Sequence, residues 1–78
     1  MKFLFPTTVV WDGEKYRYKL YQFKLTPDKF RAELTSASFG HPIKEIIFWR
    51  KKNAWKADLK NSQLFVEIFG KEIERTNK

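Results

Sequence analysis

The chain has 78 residues, with 16 Lys and Arg against 9 Asp and Glu, one His, no Cys, and 14 aromatic side chains. That length holds one domain, residues 1–78, and 42% hydrophobic residues with only three Gly and three Pro exclude disordered, collagenous and low-complexity chains. A domain this small buries only about 60–65% of its unfolded surface, so rings that can each bury roughly 150–250 Å² must supply its core.

Met1 to Thr8 start like a signal peptide, but Pro6, Thr7 and Thr8 interrupt the apolar run and no small-residue cleavage site follows. Residues 3–11 read instead as a strand rich in β-branched and aromatic residues, with Pro6 directing it to a sheet edge or a bulge. Asp12-Gly13 is the strongest hairpin turn in the chain. A second strand follows over residues 14–25. Tyr16, Tyr18 and Leu20 alternate there with Lys15, Arg17 and Lys19, the pattern of a half-buried strand. Beyond Leu20 the apolar set becomes Tyr21, Phe23 and Leu25, which implies a bulge near residues 20–21 or a strand buried on opposite faces at its two ends.

Thr26-Pro27-Asp28-Lys29 has two readings. It would cap a helix over about residues 27–37, with Phe30 and Leu34 one turn apart. Phe30, Ala32 and Leu34 also alternate with Lys29, Arg31 and Glu33, and Thr35-Ser36-Ala37-Ser38 propagates a helix poorly. We favour the turn and a third strand, followed by a loop over Phe39-Gly40-His41-Pro42. Ile46, Ile47, Phe48 and Trp49 form a strand apolar on both faces, hence central. A turn at Lys51-Lys52-Asn53 leads to a last strand in which Trp55, Ala57 and Leu59 alternate with Lys56, Asp58 and Lys60. Ser62 caps a C-terminal helix over about residues 62–76 with Leu64, Phe65, Ile68, Phe69 and Ile73 in one apolar stripe. Gly70 costs that helix about 1 kcal/mol relative to Ala, which a close approach to the sheet would explain. The predicted fold is α+β: an antiparallel meander of four to five strands with one C-terminal helix packed on one face.

Residues 1–61 carry 13 Lys and Arg and 6 Asp and Glu, whereas residues 62–78 carry three of each, so the whole excess of charge lies on the sheet and its loops. If the apolar set of each strand faces the helix, the opposite face gathers Lys15, Arg17, Lys19, Lys29, Arg31, Lys56 and Lys60, offset in part by Glu33 and Asp58. Ile47 and Trp49 project there if Ile46 and Phe48 face the helix. Cations with an interleaved ring are how several folds grip single-stranded nucleic acid. The residues nominated for binding are Lys15, Arg17, Lys19, Arg31, Trp49, Lys56 and Lys60. The competing reading is a solvated, aggregation-resistant face, since Lys alternating with apolar residues is what many exposed strands show.

Residue types for other chemistry are sparse. Without Cys there is no disulfide framework, thiol nucleophile or Cys-type zinc site. His41 has neither a metal-ligating partner nor an acid to orient it beside Ser36 or Ser38. The glycines at 13, 40 and 70 are isolated, so no phosphate-binding glycine loop is present. No stretch approaches the roughly 20 apolar residues of a membrane span. The sequence thus predicts a cytoplasmic, non-enzymatic binding protein without cofactor, metal or membrane partner. Its expected partner is nucleic acid, single-stranded by preference, or alternatively an acidic protein, with a homodimer as a further option because three Trp strain the capacity of so small a core. The predicted arrangement of strands and helix resembles that of single-strand-binding repeats of the Pur and Whirly kind, a resemblance of topology that no motif of this sequence carries.

Overall fold

The computed structural model describes residues 1–37, 44–58 and 62–76. Five strands, β1 (Lys2–Trp11), β2 (Glu14–Gln22), β3 (Lys29–Ala37), β4 (Glu45–Lys51) and β5 (Ala54–Ala57), form one antiparallel sheet in sequence order. The helix α1 (Gln63–Thr76) packs on one face. Residues 29–37 are therefore a strand, as their alternation predicts, and not a helix. The expected loop around His41 lies outside the described residues, as do Leu59 and Lys60.

Two-residue turns set the register of the outer hairpins. Asp12 (φ 52°) and Gly13 (φ 78°) both occupy the left-handed region that a tight β1–β2 connection requires. Lys52 (φ 58°) does the same between β4 and β5. Pro6 sits in the edge strand, where a missing amide hydrogen disturbs no interior ladder.

The strand register sorts side chains onto two faces. Tyr18, Leu20, Phe30, Ala32, Ile46, Phe48 and Trp55 point to the helix and are buried with Val9. The ladder is irregular opposite residues 20–21, but the extra residue is Leu4 of β1, between Phe3 and Phe5, and β2 itself has no bulge there. A second register shift, between Arg17 and Tyr18, leaves Thr35 of β3 as the extra residue. β2 keeps its parity, so Tyr21 emerges on the outer face and meets Phe3 edge to face at 5.6 Å. The change of apolar set after Leu20 is thus a strand apolar on opposite faces at its two ends. Leu25, expected in that set, is fully exposed beyond the end of β2.

The apolar face of α1 is rotated from the predicted stripe. Phe65, Val66, Phe69, Gly70 and Ile73 are buried, Ile68 is half-buried, and Leu64 is exposed. The cause is Trp55. Its indole lies against Gly70, its Nε1 donates to Glu74 Oε2 at 2.9 Å, and its carbonyl accepts from Gln63 Nε2 at 3.0 Å. Phe30 and Phe48 flank the same indole at 5.5 and 5.8 Å, and the Arg50 guanidinium stands 6.0 Å from its ring centre. Toward the other end of the helix, Phe65 meets Tyr16, Tyr18 and Trp11 at 5.6, 5.9 and 6.1 Å.

This packing makes two stability predictions. Replacing a helix-interior Gly by Ala ordinarily stabilises by about 1 kcal/mol. At Gly70 the new β-carbon would stand 2.5 Å from Trp55 Cδ1 and Cε2, in a ring already held by Glu74 and two phenylalanines. Gly70→Ala should therefore destabilise by about 1–3 kcal/mol, as overpacking does. Urea denaturation checks it, and an unchanged or raised midpoint would contradict the packing. Separately, burial pushes the Tyr18 hydroxyl up from 10.0 to about 12, with the neighbouring Tyr16 adding to the rise. The unfolded chain ionises this tyrosine first. Stability from the neutral hydroxyl is thus complete below pH 10 and falls as pH rises from about 10 to 12, by about 2–3 kcal/mol in all. Denaturation midpoints across that range should fall less steeply in Tyr18→Phe than in the native chain.

Candidate nucleic-acid interface

The face of the sheet opposite α1 is uncovered by any element among the described residues. Its composition follows from register. β2 presents Lys15, Arg17, Lys19 and Tyr21 there, β3 presents Lys29, Arg31 and Glu33, β4 presents Glu45, Ile47 and Trp49, and β5 presents Lys56. Six of the seven nominated residues therefore share one face; the seventh, Lys60, lies outside the described residues.

These residues do not form one continuous surface. Cross-strand pairing aligns Phe23, Lys29, Trp49 and Lys56 in a row, with Trp49 directly between the two lysines. Lys29 Nζ also stands 5.2 Å from the Phe23 ring centre. Beside this row the backbone amide of Arg50 donates to the Asp28 carbonyl at 2.9 Å, joining the start of β3 to β4. Thr26, Asp28, Lys29, Trp49 and Arg50 enclose a shallow depression of about 390 Å³ at that end of the face. Trp49 is half-buried, with part of its ring open to solvent, as a stacking surface requires.

At the opposite end Lys15, Arg17 and Lys19 form a strip of exposed cations along β2. Opposite Arg17 and Tyr18 the bulge falls in β3 at Thr35, whose hydroxyl donates to the Arg17 carbonyl at 3.2 Å. This fixes the backbone from which the Arg17 side chain departs.

Between the two zones lies Arg31, and its surroundings change its role. Arg31 Nη2 donates to Glu33 Oε2 at 3.0 Å, and Nε lies 2.6 Å from Glu45 Oε2. The second contact is an ion pair whose geometry falls outside that of a directed hydrogen bond. Two carboxylates thus hold this one guanidinium, and the three charges together are net negative. Arg31 belongs to the face but is engaged within the sheet, whereas Lys15, Arg17, Lys19 and Lys56 are exposed and form no ion pair among the described residues.

Phe23 joins the nominated residues here, and Lys29, which its alternation in β3 already places on this face, proves to stand directly beside Trp49. The alternation fixes the face, and only the β3–β4 register sets Lys29 opposite Trp49. Among the described residues no three His, Cys, Asp or Glu side chains gather as a metal ion would need, and no helix is long and apolar enough to cross a membrane. No protein-family model matches the chain, and no curated protein or solved structure shows significant similarity to it.

Proposed function

We propose that this chain is a non-enzymatic protein that binds single-stranded nucleic acid on the helix-free face of its sheet. The observation that carries the reading is the placement of Trp49 between Lys29 and Lys56, on the same open face as the Lys15, Arg17 and Lys19 strip. Phosphates follow the cations while a base stacks on the indole. Single strands are favoured because their bases are free to reach Trp49, and to reach Tyr21 and Phe3 nearby, whereas a duplex stacks its bases on one another. The net charge of +7 draws any polyanion toward the chain, and the neutral balance of residues 62–78 directs it to the sheet.

Binding should be phosphate-driven and weakly dependent on sequence. Five contacts, from Lys15, Arg17, Lys19, Lys29 and Lys56, give a log–log salt slope of about −3.5, at about −0.7 per contact on a single strand. Fluorescence anisotropy with a labelled oligonucleotide at several salt concentrations measures that slope. Arg17→Glu combined with Lys19→Glu should weaken binding strongly and leave the fold intact, because both side chains are exposed. Trp49→Ala should lower affinity by about 1–3 kcal/mol while the protein stays folded.

The acidic centre supplies the opposite sign. Glu33→Gln with Glu45→Gln releases Arg31 to meet a phosphate and removes two negative charges from the face. Affinity should then rise, and the salt slope should steepen by about −0.7, the share of one phosphate. A folded wild-type protein that binds neither single strands nor duplex at low salt would end this reading and favour an acidic protein as the partner of the same face.

A further inference from the structure

The long edge of the sheet is unguarded. β1 has ten residues, and among the described residues only β2 pairs with it, so the backbone groups along its other side are open. Edge strands are usually protected by charge, Pro, a bulge or brevity. In β1 those devices stop at Pro6: the register shift lies between Phe3 and Phe5, and Thr7-Thr8-Val9-Val10-Trp11 has no charge. Val10 is 62% exposed, and Trp11 and Leu64 are each 49% exposed. The other edge, β5, has only four residues, carries Lys56, and follows a turn containing Lys51 and Lys52.

We propose that β1 pairs antiparallel with β1 of a second copy along Thr7–Trp11, with Val9 at the twofold axis. Three observations select a second copy. The only charge in β1 is Lys2, seven residues from Val9, so two chains of net charge +7 meet most easily along this edge. Pairing about Val9 sets Thr7 opposite Trp11 on the helix side and Thr8 opposite Val10 on the outer side, so each apolar side chain keeps its face. An acidic partner, by contrast, is drawn to the cationic face and not to an uncharged edge. Because both copies use the same strand, association closes at two, whereas pairing β1 to β5 is heterologous and would build a ring or an open filament.

The pairing makes one ten-stranded sheet. It sets the two strips of Lys15, Arg17 and Lys19 three strand spacings apart, about 14 Å, on one continuous face. The extended nucleic-acid site that results rests on the proposed function; the pairing itself does not.

Light scattering coupled to size exclusion, on the full chain at micromolar concentration without nucleic acid, is the test. The expected mass is twice the 9.4 kDa of one chain. Val10→Lys, and independently Thr8→Lys, should each give the single-chain mass with an unchanged circular dichroism spectrum. A monomeric wild type, an open-ended series of masses, or a folded Val10→Lys and Thr8→Lys that both remain dimers would overturn the proposal. A dimer that binds no single strand leaves the pairing standing and removes the nucleic-acid reading, while a monomer that binds does the reverse.

Discussion

The Trp55 indole rests directly against the backbone of α1 because residue 70 has no side chain. That contact fixes the rotation of the helix, since it turns Val66 and Gly70 toward the sheet and leaves Leu64 in solvent. It also fixes which face of the sheet is covered. Glu74 and Gln63 hold the indole and strand backbone from two turns of the helix, so the short β5 is anchored although it has only four residues. With one helix committed to one side, every side chain of opposite parity faces water.

The distribution of charge then follows from parity. Cations of β2, β3 and β5 that alternate with core residues have no choice but the outer face, and Ile47 and Trp49 of β4 accompany them. The acids are placed less evenly. Glu33 and Glu45 are directly opposed across β3 and β4, and two like charges in that position would repel. Arg31 relieves the repulsion by reaching both. A residue that counts as one of the face's cations is thereby occupied in holding the sheet together. The open face is consequently bipartite, with an aromatic zone around Trp49 and a cationic strip along β2.

Much of this is legible in the sequence because each element carries a period. Tyr16, Tyr18 and Leu20 announce β2, Phe30, Ala32 and Leu34 announce β3, and both sets reappear in the core or packed against it. The face on which Trp49 lies is also readable from the parity of Ile46 and Phe48. Two features are not. The rotation of α1 depends on a notch at Gly70 being filled by a ring 15 residues away, and helical spacing alone weights Leu64 and Phe65 alike. The capture of Arg31 depends on β3 and β4 pairing in the register that sets Glu33 opposite Glu45, which no local pattern encodes. Of the two readings of residues 20–21, a bulge or a strand apolar on opposite faces at its two ends, β2 takes the second. Tyr21 emerges on the outer face beside Phe3, and the extra residue opposite Leu20 and Tyr21 is Leu4 of β1, which the pattern of β2 does not encode.

One covered face and one open face divide the labour in this account, the first giving stability and the second binding. Nuclear magnetic resonance addresses that division directly, because the three indole N–H groups report on three separate places: Trp55 in the helix contact, Trp49 on the open face and Trp11 at the sheet edge. Titrating an unlabelled single-stranded oligonucleotide into the ¹⁵N-labelled chain should shift the Trp49 indole and the amides of Lys15 to Lys19, and leave the Trp55 indole and α1 unmoved. Shifts concentrated on α1 and Trp55, with the open face silent, would contradict it.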